Sequence, residues 1–376
     1  AVCNRTACVT IEQHDQIANH ALKEKQMLYR TRNPHGGDIY EEKILLDYSS
    51  NTNPFGTPQG VVDAMNSVLT EVHHYPDPYC RALVHAIAAF ENVPQEYILC
   101  GNGAAELIYA YCEAAHPKCA VELAPTFSEY ALGLERVGCQ VERYTLRQEN
   151  DFDLDDGFLK FLMERKPEAV FLCNPNNPTG RLISSYVLER VLGFCHQHNI
   201  RLFLDECFLD LSDDGISMKG FLKDHPEMFI LKAFTKSYGM AGVRLGYCLC
   251  SDNDLLTAMS KTAQPWNVSV LAQAAGVAAL REQQFLTKTK ALIPVERRWL
   301  KDEMETLGFW VCPSKANYLL FHGKPGLHTA LKEHKIAIRN CDNYHGLSSG
   351  WYRIAVRLHE QNEQLIAAVK QVCGKE

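Results

Sequence analysis

Between residues 97 and 250 the chain alternates short apolar runs with longer stretches of helical periodicity. The runs are Tyr97 to Cys100, Cys119 to Leu123, Ala169 to Cys173, Arg201 to Leu204, Met228 to Leu231 and Leu245 to Cys250. Helical segments lie at Ala104 to Glu113, Phe127 to Val137, Ser184 to Asn199 and Ser217 to Asp224. Strand and helix taking turns predict an α/β fold: a mostly parallel central sheet with helices on both faces. The pattern then changes. Beyond Pro265-Trp266-Asn267 a helical stretch runs to about Leu307. Three strand-like runs follow, Asn317 to Phe321, Ile336 to Arg339 and Tyr352 to Arg357, flanked by helical segments as in a smaller α+β domain. Ahead of the alternation, Ile11 to Tyr29 has amphipathic spacing, and Leu45 to Tyr48 is a short apolar run. The expected division is an extension over 1–34, an N-terminal part of the small domain over 35–74, a large domain over 75–274 and a small C-terminal domain over 275–376.

In a mostly parallel sheet, ligands sit beyond the carboxyl ends of the strands. The residues just after each apolar run should therefore converge. After Cys100 comes Gly101-Asn102-Gly103-Ala104-Ala105-Glu106, opening a helix whose free N–H groups suit a phosphate; a plain tight turn is the alternative. After Cys173 comes Asn174-Pro175-Asn176-Asn177-Pro178-Thr179-Gly180, a turn held by two Asn-Pro steps. After Leu204 comes Asp205, either a helix cap or a partner for a cationic nitrogen. After Leu231 comes Thr235-Lys236-Ser237, with Arg244 eight residues beyond Lys236. A lysine just past a buried strand loses its charge readily, which frees its amine for covalent chemistry. Hydroxyls and a guanidinium beside it could hold an anion.

Bulk properties exclude more than they identify. With 376 residues the chain is long enough for a large domain plus a smaller one. A content of 46% hydrophobic and 22% charged residues fits a globular enzyme. The net charge is −7 with no dense Lys/Arg block, which argues against nucleic acid as a main partner. No apolar run is long enough to span a bilayer, and the first residues lack the pattern of a secretory signal. The 15 cysteines contain no Cys-x-x-Cys pair. They are expected as reduced core residues of a cytoplasmic protein, with no metal site.

Thr235-Lys236-x-x-Gly239-x-x-Gly242-x-Arg244-x-Gly246 resembles the segment around the cofactor lysine of fold-type I pyridoxal-phosphate enzymes, the aspartate aminotransferase-like superfamily. The resemblance runs from His35 to about Val372. Within the superfamily it is nearest the threonine-phosphate decarboxylases of cobalamin side-chain synthesis, with histidinol-phosphate aminotransferases next. It implies pyridoxal 5′-phosphate as cofactor and a homodimer with shared active sites. By this resemblance Lys236 bonds to the cofactor aldehyde and moves the proton, Asp205 keeps the ring nitrogen protonated, and Phe127 stacks on the ring. Asn177 would reach the ring O3′. Ala104, Ala105, Thr235, Ser237 and Arg244 would hold the cofactor phosphate, and Tyr75 would reach the phosphate of the neighbouring subunit. Arg339 and Arg353 would grip a phosphorylated amino acid by its carboxylate and phosphate, with His35 and Asn51 in the same pocket.

Aminotransferases of this superfamily usually carry Tyr three residues after the ring-nitrogen Asp. Here Asp205-Glu206-Cys207-Phe208 places Phe208 there, as in the decarboxylases. The expected reaction is decarboxylation of threonine phosphate or serine phosphate. A histidinol-phosphate-type aminotransferase is the alternative, and an aminotransferase-like ligand sensor a remote one. A sensor needs a DNA-binding domain, for which residues 1–34 are too short.

Overall fold

The computed structural model describes residues 35–40 and 43–374. The expected helix over residues 11–29 lies outside them. The chain divides into two compact units, residues 1–38 and 39–376. Of the first, residues 35–38 are described, and Gly37 there takes a left-handed φ of 88°.

Among the described residues of the second unit, three sheets form. The strands in chain order are β1 (Leu46–Asp47), β2 (Ile98–Gly101), β3 (Cys119–Ala124), β4 (Gln140–Thr145), β5 (Ala169–Cys173), β6 (Arg201–Asp205) and β7 (Met228–Ala233). Next come β8 (Gly246–Cys250), β9 (Trp310–Val311), β10 (Tyr318–His322), β11 (Ile336–Ala337), β12 (Arg339–Asn340) and β13 (Trp351–Ala355). The largest sheet runs β2-β8-β7-β6-β5-β3-β4. Only β8 runs against its neighbours, so the sheet is parallel from β7 to β4. A four-stranded antiparallel sheet, β12-β13-β10-β9, forms a second layer, and β1 pairs with β11 alongside. This is the fold-type I architecture, with a mixed, mostly parallel sheet and a smaller antiparallel one.

The central strands are apolar on both faces because both faces are covered. Leu202, Leu204, Met228 and Ile230 join one core cluster, while Phe203, Phe229 and Leu231 join another. Across the second face Phe171, Phe203 and Phe229 sit side by side in register. Their rings stack at 4.6 and 4.9 Å. Cys248 and Cys250 share that cluster, and Leu249 between them joins the other, as strand alternation requires.

Several expectations need correction. Ser217 to Asp224 is not an α-helix; only a 3-10 turn forms, over Met218–Phe221. The stretch beyond Asn267 is two helices, Val270–Ala279 and Gln283–Thr306, broken at residues 280–282. The run Ile336 to Arg339 divides between two sheets. The edge strand β4 had no counterpart in the sequence reading. Its Gln-Val-Glu-Arg-Tyr-Thr is half-buried and mostly polar, so it lacks the apolar run that marks the central strands.

Candidate active site

The site forms where β2, β5, β6, β7 and β8 meet their loops. Helix α1 (Ala104–Ala115) begins directly after β2, and Gly103 at its start offers no side-chain cap. Its first-turn N–H groups, with the positive end of the helix dipole, face the loop. The space is tight. A Cβ on Gly103 would lie 2.5 Å from the Arg244 guanidinium, and one on Gly246 2.7 Å from the Ala104 amide. Arg244 itself holds a left-handed φ of 62°. That costs a non-glycine residue on the order of 1 kcal/mol or more, and such strain collects at functional sites. Together these make an anion cradle of backbone and guanidinium at the start of α1. Glu106 in the same turn accepts from Asn102 N–H and from Asn267 Nδ2, both at 2.6 Å.

Lys236 lies in a single helical turn, α2 (Phe234–Ser237), at the end of β7. Burial, reinforced by Arg353 and Arg244, brings its amine down from the ordinary 10.5 to about 8. Its Nζ stands 5.5 Å from the centre of the Phe208 ring. The backbone is pinned as well, because Asn53 N–H donates to Lys236 O at 3.0 Å. Asp205 ends β6, with its Cα opposite Leu231 of β7. Its carboxylate is buried, and burial raises it above the usual carboxylate range despite the hydrogen bonds it accepts. Those bonds come from Cys207 N–H at 2.8 Å and the Tyr130 hydroxyl at 2.5 Å. Phe127 meets Tyr130 edge-on at 5.6 Å.

Arg339 and Arg353 face each other directly across the β12–β13 ladder. Like charges directly opposite on one face of an antiparallel pair repel, so the arrangement suits an anion between or above them. Arg353 is held by Asn177 Oδ1 and by Ser49 O at 2.9 Å. With its amide turned so that the oxygen faces Arg353, Asn51 accepts from Nε at 3.1 Å and Nη1 at 3.3 Å. Arg339 donates to Asn340 O and to Asn343 Oδ1 and lies over the Tyr344 ring. Burial raises the Tyr344 hydroxyl, and both guanidinium groups pull it back down. Four cations thus line the site of a chain whose net charge is −7.

The structure therefore brings Lys236, Asp205, Phe127, Asn177, Asn51, Arg244, Arg339 and Arg353 around the ends of the central strands and the loops beside them. Ala104 and Ala105 open α1, and Thr235 sits half-buried beside Lys236. Ser237 departs from expectation: its side chain is buried and its hydroxyl donates to Asp210 at 3.1 Å, so it turns away from the cradle. Tyr75 is 77% exposed and stacks on Trp266 at 4.3 Å. His35 belongs to the first unit. Sequence reasoning missed Tyr130, Ser49, and Tyr318, whose hydroxyl donates to Asn176 O at 2.9 Å. It also missed the buried charges Glu91, Glu206 and Lys232, and the half-buried Asp210 that joins them beneath α2. Tyr130 had a legible signal, since in the expected helix Phe127 to Val137 it lies three residues after Phe127 and on the same side, although the helix itself begins at Glu129.

An uncapped helix start, a partly buried amine with lowered proton affinity and a buried carboxylate form one donor set. It fits a phosphorylated aldehyde on a protonatable ring. The sequence matches the family Aminotransferase class I and II over residues 43–369, and the chain belongs to that family. Its cofactor is pyridoxal 5′-phosphate. Among relatives, the threonine-phosphate decarboxylase of Salmonella typhimurium is 35% identical over 90% of this chain and 96% of its own. A histidinol-phosphate aminotransferase from Anaeromyxobacter sp. is 32% identical over 89% and 93%. The histidinol-phosphate aminotransferase structure from Clostridium acetobutylicum superposes with a TM-score of 0.82 at 26% identity, covering 88% of this chain and 100% of that one.

Proposed function

We propose that this pyridoxal-phosphate enzyme decarboxylates an O-phosphorylated amino acid, threonine phosphate or serine phosphate. The observation that carries this reading is Phe208. Its ring faces the Lys236 amine, with no hydroxyl at the position where aminotransferases of the superfamily usually place one. The 35% identity to the Salmonella decarboxylase supports the same choice.

When bound, the cofactor would supply an electron sink for the electrons released at the substrate Cα. The cradle at Gly103, Ala104, Ala105 and Arg244 would hold its phosphate, with Thr235 beside it. Asp205, steadied by Tyr130 and the Cys207 amide, would keep the ring nitrogen protonated. Phe127 would cover one ring face, and Asn177 would hydrogen-bond its O3′. Arg339 and Arg353 would fix the substrate carboxylate and phosphate, with Asn51 lining the pocket. Which bond to Cα breaks depends on how these two anions are held, so the arginine pair sets the reaction geometrically. Carbon dioxide departs and Cα gains one proton, which the Lys236 amine delivers. With its proton affinity near neutral pH, that amine can both take and return a proton.

The exposed side chains Leu69, Val72, Tyr75, Tyr79 and Trp266 offer a face for a second copy of the chain. Tyr75 would cross it to the partner's cofactor phosphate, making a homodimer with shared sites. No helix among the described residues is long and apolar enough to cross a membrane, and a cytoplasmic location is part of the proposal. So is the division into a large domain over 75–274 and a small one built from 35–74 and 275–376.

The test is carbon dioxide release from each phosphoamino acid with no 2-oxo acid present. Release supports the decarboxylase. Turnover of these substrates or of histidinol phosphate that strictly needs 2-oxoglutarate makes it an aminotransferase, the reading that the 32% identical relative favours. One methyl separates the two phosphoamino acids, and a pocket distinguishes it by only about 1–3 kcal/mol. Both should therefore be assayed side by side.

A further inference from the structure

At the opposite ends of the central strands, away from Lys236, two imidazoles converge on one carboxylate. His225 Nδ1 lies 2.8 Å from Glu227 Oε1, and His196 Nδ1 lies 3.0 Å from the same oxygen. The three donor atoms fall within 4.8 Å of one another. They come from separate elements. His196 is in the last turn of the helix Ser185–His198, while His225 and Glu227 sit in the turn that leads into β7. That turn is fixed: Met228 N–H donates to His225 O at 3.0 Å, and Leu202 N–H of β6 donates to Glu227 O at 3.0 Å. The Cys250 thiol also points to Pro226 O at 3.8 Å. Glu227 and His225 are mostly covered, with side chains 14% and 20% exposed, while His196 at 58% leaves the site open to solvent.

The geometry points to a binding site for one divalent transition-metal ion of the zinc kind at His196, His225 and Glu227. Two imidazoles and a carboxylate are a donor set that such ions prefer, with water completing the shell. Metal bonds of roughly 2.0–2.1 Å at tetrahedral angles put ligand atoms about 3.3 Å apart. The two His–Glu separations, 2.8 and 3.0 Å, therefore need to open by only a few tenths of an ångström. Protons and metal compete for the same nitrogens, so binding strengthens as pH rises. Six-residue β7 separates this site from the Lys236 turn, a span of roughly 17 Å at about 3.3 Å per residue. The ion would tie the end of one crossover helix to the start of β7. Its role is structural and independent of the proposed chemistry.

Holoenzyme and the variants His196→Ala and His225→Gln are equilibrated with low-micromolar zinc and dialysed, and metal per chain is measured. Zinc held elsewhere adds equally to all three proteins, so the difference is the readout. We expect the unaltered chain to hold one zinc more than either variant. Zinc should also raise its thermal midpoint by a few degrees, with little rise in the variants. His196 is exposed, so its replacement does not endanger folding. Equal zinc content in all three proteins overturns the site, and so does an unaltered chain that retains none.

Discussion

Two lysines four residues apart, Lys232 in β7 and Lys236 in the turn after it, are both largely withdrawn from water, yet they are driven in opposite directions. Burial alone would lower Lys232. Asp210, Glu91 and Glu206 overrule it and hold its ammonium well above the ordinary value. Their oxygens stand 3.2, 3.2 and 3.9 Å away. Around Lys236 the neighbours are Arg353 and Arg244, so burial and like charge act together and bring it to about 8. Burial sets how strongly a charge is felt, and the neighbours decide which form wins. The two sites also touch. Asp210, which pairs with Lys232, accepts from the hydroxyl of Ser237 next to Lys236. The charged lysine thus anchors the floor on which the reactive one stands.

Four experiments would break or sharpen that contrast. Lys236→Ala should lower turnover by more than about 10⁴-fold, since nucleophile and proton carrier go together. It should leave the urea midpoint unchanged or higher. Retained turnover would end the catalytic assignment. Lys232→Met should do the reverse and cost about 3–5 kcal/mol of stability in urea, because three acidic groups lose their common cation. A variant as stable as the parent would show that the cluster holds nothing.

The third experiment uses pH. Without cofactor, Lys236 binds its proton less tightly folded than unfolded, so the unfolded chain carries more protons between about 8 and 10.5. The Lys236 contribution to stability should therefore grow across that window, by about 3 kcal/mol at most at about 1.4 kcal/mol per unit. Buried cysteines, whose thiols burial pushes up, lower the stability of both proteins there, so the readout is the parent profile minus that of Lys236→Ala. Lys232 has the opposite sign: its contribution is complete below 10.5 and fades only above it. A flat difference between parent and Lys236→Ala would mean the amine at 236 is not set apart from water. Last, Tyr130→Phe removes one hydrogen bond to the Asp205 carboxylate. A bond to a charged group contributes roughly 1.5–3 kcal/mol, so turnover should fall about 10- to 100-fold with the fold intact. An unchanged rate would leave Asp205 without need of that bond.

The central strands were legible because both their faces are buried, which writes them as continuous apolar runs. Asp205 and Lys236 could be picked out because strand ends put chemistry-bearing residues at fixed places. Strand β4 was not legible, since an edge strand with a half-wet surface looks like loop. Ser237 was misplaced because its neighbour's chemistry hid its own direction; only the packed turn shows the hydroxyl aimed at Asp210. The resemblance to the decarboxylases marked Arg339 and Arg353 as a pair, but nothing in the chain showed that they stand directly opposite each other.

The order of apolar runs, the glycines at 103 and 246 and the Thr-Lys turn fixed the fold and the family, because local pattern and backbone freedom are properties of neighbouring residues. Which lysine is charged, which hydroxyl faces the site and where two histidines meet a glutamate were decided only on folding. Electrostatic surroundings are built from segments far apart along the chain, as Glu91 and Asp210 around Lys232 make plain.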